Sequence, residues 1–429
     1  MTKFLTMNAS ALDVIVIGAG HAGLSISYHL QRLNLNHIVF EQGTIGHIWR
    51  TQRWDSFKLN TPAKINLLPG QENIFSDAEG FCSASEFILF LEGYSRTFQL
   101  PVIENCKVLS VESIPDTKDF SVYVSENGSE RNYRSRQVVV ASGAQNIKNI
   151  PSFAKNISPE ILQLHTSEYR NASSLPDGAV LIVGSAQSGM QIAEDLIDTG
   201  RKVFISTSKA GRVPRRYRGK DITDWLILSG FYDIRTIDIT DPQLLNVKQP
   251  QVSNVGLRGH TISLQSLGQN GAVILGKTES ADGTTVFLLP NAAAHIRFAD
   301  ESSLKVKDMI NEYVQKFQLN APSPEEDPAD EPDLAATSAS NLTTLDLAEN
   351  HITSIIWTTG FTGDFTFLKL PVFNGNGILK HHEGIPDIEG LYFLGFPWLR
   401  KRKSGIILGI REDADFMAEK ILAYSGKVI

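Results

Sequence analysis

The chain has 429 residues, 42% hydrophobic and 20% charged, with a formal net charge of -7. This is the composition of a globular protein with material for two or three domains, and its acidity argues against wholesale binding to nucleic acid. Only two cysteines occur, Cys82 and Cys106, outside any CxxC pattern, which argues against a disulfide framework, a cysteine zinc site and a dithiol redox centre.

The first 13 residues lack the continuous apolar stretch of a signal peptide, since Asn8, Ser10 and Asp13 interrupt it. No segment approaches the ~18 apolar residues of a membrane span. The expectation is a soluble, cytoplasmic protein. Val14–Ile17 then reads as a strand, and the continuous apolarity calls for cover on both faces. It runs into Gly18, Gly20 and Gly23, a complete GxGxxG that opens a helical pattern. The first glycine permits the tight turn, the second lets the backbone approach a pyrophosphate, and the third lets the helix pack on the strand. Helix N-terminal amides would hold the phosphates. A second strand, Ile38–Phe40, ends at Glu41 and Gln42, and Glu41 lies 23 positions after Gly18. That is the expected place for an acid that accepts hydrogen bonds from a ribose diol.

After the strand Val138–Val140 the pattern recurs. Val180–Val183 leads into Gly184-Ser185-Ala186-Gln187-Ser188-Gly189, a GxAxxG, and a helix. The following strand, Val203–Ser206, ends in Ser206, Thr207, Ser208 and Lys209 instead of an acid, and Arg212, Arg215, Arg216 and Arg218 come next. Hydroxyls and guanidinium groups attract a 2′-phosphate that a carboxylate would repel. The first unit is therefore expected to take FAD and the second NADPH, a bound hydride acceptor and its soluble donor. A solvated basic loop is the alternative for the arginine run. Residues 261–289 read as an antiparallel meander with glycine turns, and 321–340 as an exposed acidic loop or linker. Ile355–Trp357 and Leu391–Leu394 are the last strands, and the basic run at Arg400–Lys403 reads as a solvated loop.

Taken together, "VIVIGAGHAGL", "IGHIWRTQRWDSFKLNTP", "VVVASGAQNIKNIP", "LIVGSAQSGMQIAEDL" and "GLYFLGFPWLRKRKSGIILGIREDADF" resemble the class B flavin-dependent monooxygenases over nearly the whole chain. The resemblance implies an α/β fold with two Rossmann-like dinucleotide-binding domains. The NADPH domain (169–345) would be inserted in a discontinuous FAD domain (1–168 and 346–429). It implies that Ser142 and Gly143 close over the FAD and that Thr359 and Gly360 form the second such turn. Trp49 and Arg50 would run along the flavin, the Val108 backbone would meet the adenine, and Leu408 would face the flavin. The activity implied is insertion of one oxygen atom from O2 into a small organic substrate by a flavin C4a-hydroperoxide. An NADPH oxidase or reductase without substrate oxygenation is the alternative, and a homodimer is left open. The fingerprint FxGxxxHxxx(W/F) is degenerate: His165 and Tyr169 fit its end, but Pro159 and Ile161 stand where phenylalanine and glycine belong. No catalytic residue is assigned; Asn60, Pro62 and Asn66 surround the place of the family's flavin-facing asparagine.

Overall fold

The computed structural model describes residues 12–72, 77–241, 245, 259–333 and 341–427. Its backbone is organised by two sheets with parallel cores. The first begins with β1 (Leu12–Ile17), α1 (His21–Arg32) and β2 (His37–Phe40), followed by α2 (His47–Thr51), α3 (Ala84–Thr97) and β3 (Val102–Ile103). A meander follows: β4 (Cys106–Ser113), β5 (Phe120–Glu126) and β6 (Ser129–Val140). β6 joins two textures. Its first half pairs antiparallel with β5, and its last six residues pair parallel with β1. Five of the six β1 residues are buried, so the unbroken Val14–Ile17 run is explained by α-helical cover on one face and the meander's side chains on the other.

The chain then crosses over. β7 (Ile147–Lys148) leads to β8 (Leu162–His165), β9 (Ala179–Val183), α4 (Gln187–Asp198) and β10 (Val203–Ser206). A short ribbon, β11 (Arg216–Tyr217) with β12 (Lys220–Asp221), precedes α5 (Ile222–Leu228), α6 (Leu264–Gln269) and β13 (Val273–Leu275). Next come β14 (Thr278–Asp282), β15 (Thr285–Leu288), α7 (Ala292–Lys316), β16 (Thr344–Asp346) and β17 (Ile352–Trp357). The chain returns through β18 (Phe361–Thr362), which pairs with β7, to β19 (Leu391–Phe393) and α8 (Ile407–Ser425). β19 pairs parallel with β6 and completes the first, seven-stranded sheet. The second sheet has the order β13-β10-β9-β17-β8, all parallel.

β8 and β17, on either side of 169–345, pair into the second sheet. The crossings lie between β6 and β8 and between β17 and β19. The meander expected over 261–289 is a meander only from β14 onward. Before it, Ser263 and Ser266 make a capping box that starts α6, and the apolar run Val273–Leu275 joins the parallel sheet. The acidic loop is exposed over 322–326, as expected, and is tied to the fold over 327–330. Asp327 accepts from Thr261 Oγ1, Asp330 pairs with Arg212 and Lys307, and Ala329 is buried; residues 334–340 lie outside the described residues. The basic run at 400–403 is likewise a clamp. Lys401 and Lys403 both pair with Asp233 and Glu412, tying the 231–233 turn to α8, and the Arg400 guanidinium stacks 3.8 Å from the Phe416 centroid.

A candidate cofactor cleft between two glycine cradles

The two cradles have the same construction. Gly18 adopts φ +103°, and a Cβ there would sit 2.6 Å from the Ala141 carbonyl oxygen. Gly184 adopts φ +114°, and its Cβ would sit 2.8 Å from Thr358 Oγ1. At Gly23 and Gly189 a Cβ would collide with the carbonyl oxygen of the first glycine, at 1.8 and 2.0 Å. The third glycine of each motif is therefore fixed by helix-to-turn packing, not by a ligand. Gly20 differs, because nothing lies within 4 Å of its missing Cβ. Ala186 holds the matching position with φ -84° and ψ -172°, against -78° and -173° for Gly20.

Each cradle is backed by a crossing turn. Ala141-Ser142-Gly143 stands behind Gly18, while Thr358 Oγ1 donates to the carbonyls of Val183 and Gly184. The second turn, with Thr359 and Gly360, therefore backs the second cradle. Thr359 Oγ1 is tied to the Asn149 carbonyl, and the Gly360 carbonyl accepts from His165 Nε2 at 3.0 Å. Nδ1 of His165 accepts from the Ser167 amide, which fixes the tautomer. Burial depresses the pKa of this histidine first, with Lys148 adding to it.

The strand ends differ as their chemistry requires. Glu41, buried, accepts from the Ala19 amide (2.9 Å) and the Gly43 amide (3.0 Å), so its carboxylate closes the first turn. Gln42 beside it is exposed. In the second cradle Ser185 and Ser208 bond reciprocally: the Ser208 amide donates to Ser185 Oγ at 2.9 Å and the Ser185 amide to Ser208 Oγ at 3.3 Å. Ser206 does not face the cradle. Its hydroxyl donates to the Gly276 carbonyl and accepts from the Thr278 amide.

Two of the arginines pair with carboxylates. Arg212 is 3% exposed and paired with Asp300 (2.8 Å) and Asp330 (2.7 Å). Arg215 is 1% exposed, paired with Asp221, and donates to the Asn60 carbonyl at 2.9 Å. Both guanidinium groups are consumed by carboxylates, because neither has water to offset its charge. The cations beside the second strand end are lysines. Lys209 is exposed over the Phe298 ring, and Lys277 is exposed at the end of β13, whose Leu275 carbonyl accepts from Thr207. His295 accompanies them, with Nδ1 2.9 Å from Thr207 Oγ1. Its pKa is lowered by burial and then by these two lysines. Sequence reading misses Lys277 and His295 because strand adjacency, not chain adjacency, brings them there.

The remaining expected residues are scattered. Arg50 points outward to Glu92 (2.7 Å) and lines an open groove of about 680 Å³ together with Thr44, Arg96 and Glu104. Trp49 is packed on Phe87 and Phe57. Val108 is a core residue of the meander, and Leu408 packs on the Val213–Trp225 cluster. Asn66 is fully buried and bonded to Thr61, whereas Asn60 Oδ1 accepts from Gln191 Nε2 at 3.2 Å, across the seam between the units. That seam is extensive. Asp195 of α4 accepts from Ser56 Oγ and Tyr169 OH, Lys64 pairs with Asp224, and Trp54 packs into the core of the second unit.

Polar atoms buried without a partner mark the surfaces a bound group would cover. They include His21 Nε2 and Ser142 Oγ at the first cradle, Gln187 Nε2 and Gln191 Oε1 along α4, and Gln52 Oε1 at the seam. Buried polar groups are rarely left unsatisfied in a finished site. The open space at Gly20 and these orphans fit a dinucleotide in each cradle.

Comparison with known proteins agrees. A family model described as pyridine nucleotide-disulphide oxidoreductase matches residues 15–226. An oxidoreductase CzcO-like protein of Geobacillus kaustophilus is 31% identical, over 96% of this chain and 98% of its own. The chain belongs to the CzcO-like oxidoreductases. Among solved structures, a flavin-containing monooxygenase from Stenotrophomonas maltophilia superposes with a TM-score of 0.64 at 18% identity, over 97% of this chain and 99% of that one. The OTEMO complex with FAD and NADP superposes with a TM-score of 0.57 at 13% identity, over 97% and 86%. The expected α/β fold with two dinucleotide-binding units is therefore the fold of this CzcO-like chain. Among the described residues no helix is long and apolar enough to cross a membrane.

Proposed function

We propose that this CzcO-like oxidoreductase is an NADPH-dependent flavin monooxygenase that transfers one oxygen atom from O2 to a small organic substrate. The reading rests on one observation: two cradles of the same build end in opposite chemistry, a carboxylate at Glu41 and hydroxyl-plus-ammonium at Ser208 and Lys209. FAD fits the first cradle. The α1 N-terminus at Gly20 would hold its pyrophosphate and Glu41 its ribose, with the turn at Ser142 and Gly143 behind the cradle. NADPH fits the second, where Ser185–Ser188 would hold its pyrophosphate and Ser208, Lys209 and Lys277 its 2′-phosphate. Strands β1–β6 and the return through β19 and α8 make the FAD unit, and the stretch between makes the NADPH unit.

When bound, the flavin supplies the redox chemistry, accepting hydride from the nicotinamide and reacting in reduced form with O2. The chain's own residues bind, orient and exclude water. The Asp195, Tyr169 and Ser56 bonds hold α4 against the 54–60 segment and keep the two units in register. His165 fixes the crossing at Gly360. Two buried free cysteines, held protonated by burial that pushes each thiol up to about 11, suit a reducing compartment, and we place the protein in the cytoplasm.

The test uses the purified full chain. It should retain yellow FAD, and NADPH should bleach the flavin at least about tenfold more efficiently than NADH, the discrimination one charge-assisted contact supplies. Labelled O2 should leave one atom in the oxidised product. A colourless protein that cannot be reconstituted refutes the FAD assignment. Equal bleaching by both donors refutes the NADPH assignment, and stoichiometric H2O2 with every substrate favours an oxidase instead.

A further inference from the structure

The buried Arg212 and Arg215 are neutralised by carboxylates. Arg53, which is half-buried, is built differently. It stands two residues beyond α2, with its guanidinium carbon 4.8 Å from the Trp49 ring centroid and 5.2 Å from that of Phe57. Nη1 donates to the carbonyl of its neighbour Gln52 at 3.0 Å, and Nη2 reaches Gln145 Oε1 at 3.3 Å. A guanidinium has five N–H donors, so most of its capacity is unused. Burial pushes it down to about 10, and among the described residues no carboxylate pairs with it, so it remains a cation at neutral pH. The faces of two aromatic rings offset part of the cost of a desolvated charge but do not cancel it.

Its location narrows what the missing anion is. Gln145 belongs to the turn that continues from Ser142 and Gly143, behind the first cradle. The Thr51 carbonyl accepts from Arg170 and the Asp55 amide donates to the Arg170 carbonyl, binding the Arg53 segment to the chain leaving β8. The Gln52 side-chain oxygen next to it is buried without a partner. The cation therefore stands in the seam between the cradles. Dinucleotide phosphates are provided for elsewhere, at the two helix N-termini and beside Lys209. A planar fork backed by aromatic rings suits a carboxylate bound bidentately with an apolar body alongside.

We propose that Arg53 is a substrate anchor, and that the substrate is a small carboxylic acid whose carboxylate pairs with Arg53 while its apolar part lies against Trp49 and Phe57. The proposal rests on the cleft holding flavin, as read above, and it goes further by naming the substrate class.

The test uses flavin-loaded full-length protein and two matched probes, phenylacetate and the neutral phenylacetamide, titrated against the absorption spectrum of the bound FAD. Phenylacetate should bind at least about tenfold more tightly than the amide, as expected of a charge-assisted pair. Arg53→Gln should remove that preference while FAD remains bound, and Arg53→Lys should restore part of it. A general loosening of the fold would weaken both probes alike. Equal binding of the two probes to the wild type overturns the proposal, as does a preference that survives in Arg53→Gln, or inorganic phosphate that competes as well as phenylacetate. If the protein holds no FAD, the earlier reading falls. If it holds FAD that NADPH bleaches and yet shows no preference for the carboxylate, only the anchor falls.

Discussion

Gly20 and Gly23 lie in one turn, and the structure gives them opposite jobs. Replacing Gly23 with alanine would put a Cβ 1.8 Å from the Gly18 carbonyl oxygen, where ordinary contact begins near 3.4 Å. Helix α1 must then retreat from β1 by well over an ångström. That loosens Leu24, Ile26 and Leu30, all fully buried. Overpacking of this kind costs ~1–3 kcal/mol, which in a unit of this size lowers the melting temperature by ~2–12 °C. Replacing Gly20 meets nothing within 4 Å, and its backbone angles match those that Ala186 already adopts in the second unit. The Gly20→Ala apoprotein should therefore melt within about 1 kcal/mol of the wild type. Its methyl group instead fills the space facing the pyrophosphate, so FAD affinity should fall by about 10- to 100-fold, the same ~1–3 kcal/mol now taken from binding. The assay is thermal melting of deflavinated protein together with FAD titration followed by flavin fluorescence. If Gly20→Ala melts as early as Gly23→Ala, or binds FAD as tightly as the wild type, the division between packing glycine and ligand glycine is wrong.

Three further outcomes are expected. Arg212→Gln leaves Asp300 and Asp330 with a lost partner inside the fold, so the chain should lose about 3 kcal/mol in urea unfolding while the KM for NADPH stays as it was. Lys209→Ala combined with Lys277→Ala should raise the KM for NADPH about tenfold or more and leave NADH use unchanged; a parallel loss with both donors would refute the lysine assignment. The apoprotein should lose stability as pH falls from about 6.5 towards 4. Burial lowers the pKa of His21 to about 4 and also depresses His37 and His165, so the unfolded chain takes up protons before the folded one does. His21 alone accounts for at most about 3 kcal/mol of that loss at pH 4. His21→Gln should flatten the dependence of the urea midpoint on pH in this window, and an unchanged slope would show that His21 is not buried as a neutral ring.

Local chemistry carried much of this protein into view from its sequence. Val14–Ile17 and Val180–Val183 could only be strands covered on both faces, because continuous apolarity has no solvent side to offer. The glycine spacing that follows fixes the turn, because a Cβ at the first and third positions meets backbone at under 3 Å. Glu41 was legible for the same reason, since the distance along one strand–helix–strand unit sets where its carboxylate arrives.

What the sequence could not settle is whatever depends on partners distant in the chain. Arg212 and Arg215 look like phosphate ligands until the fold brings Asp300, Asp330 and Asp221 onto them. The segment 261–275 has the turn residues of a meander until Ser263 caps a helix and Val273–Leu275 finds β10 as its neighbour. Lys277 joins Lys209 only because β13 lies beside β10, and among the described residues none of the elements around Arg53 supplies it a carboxylate. Charge and apolar pattern are properties of a residue and its near neighbours. Whether a charge is already neutralised depends on three-dimensional adjacency, which tertiary structure alone decides.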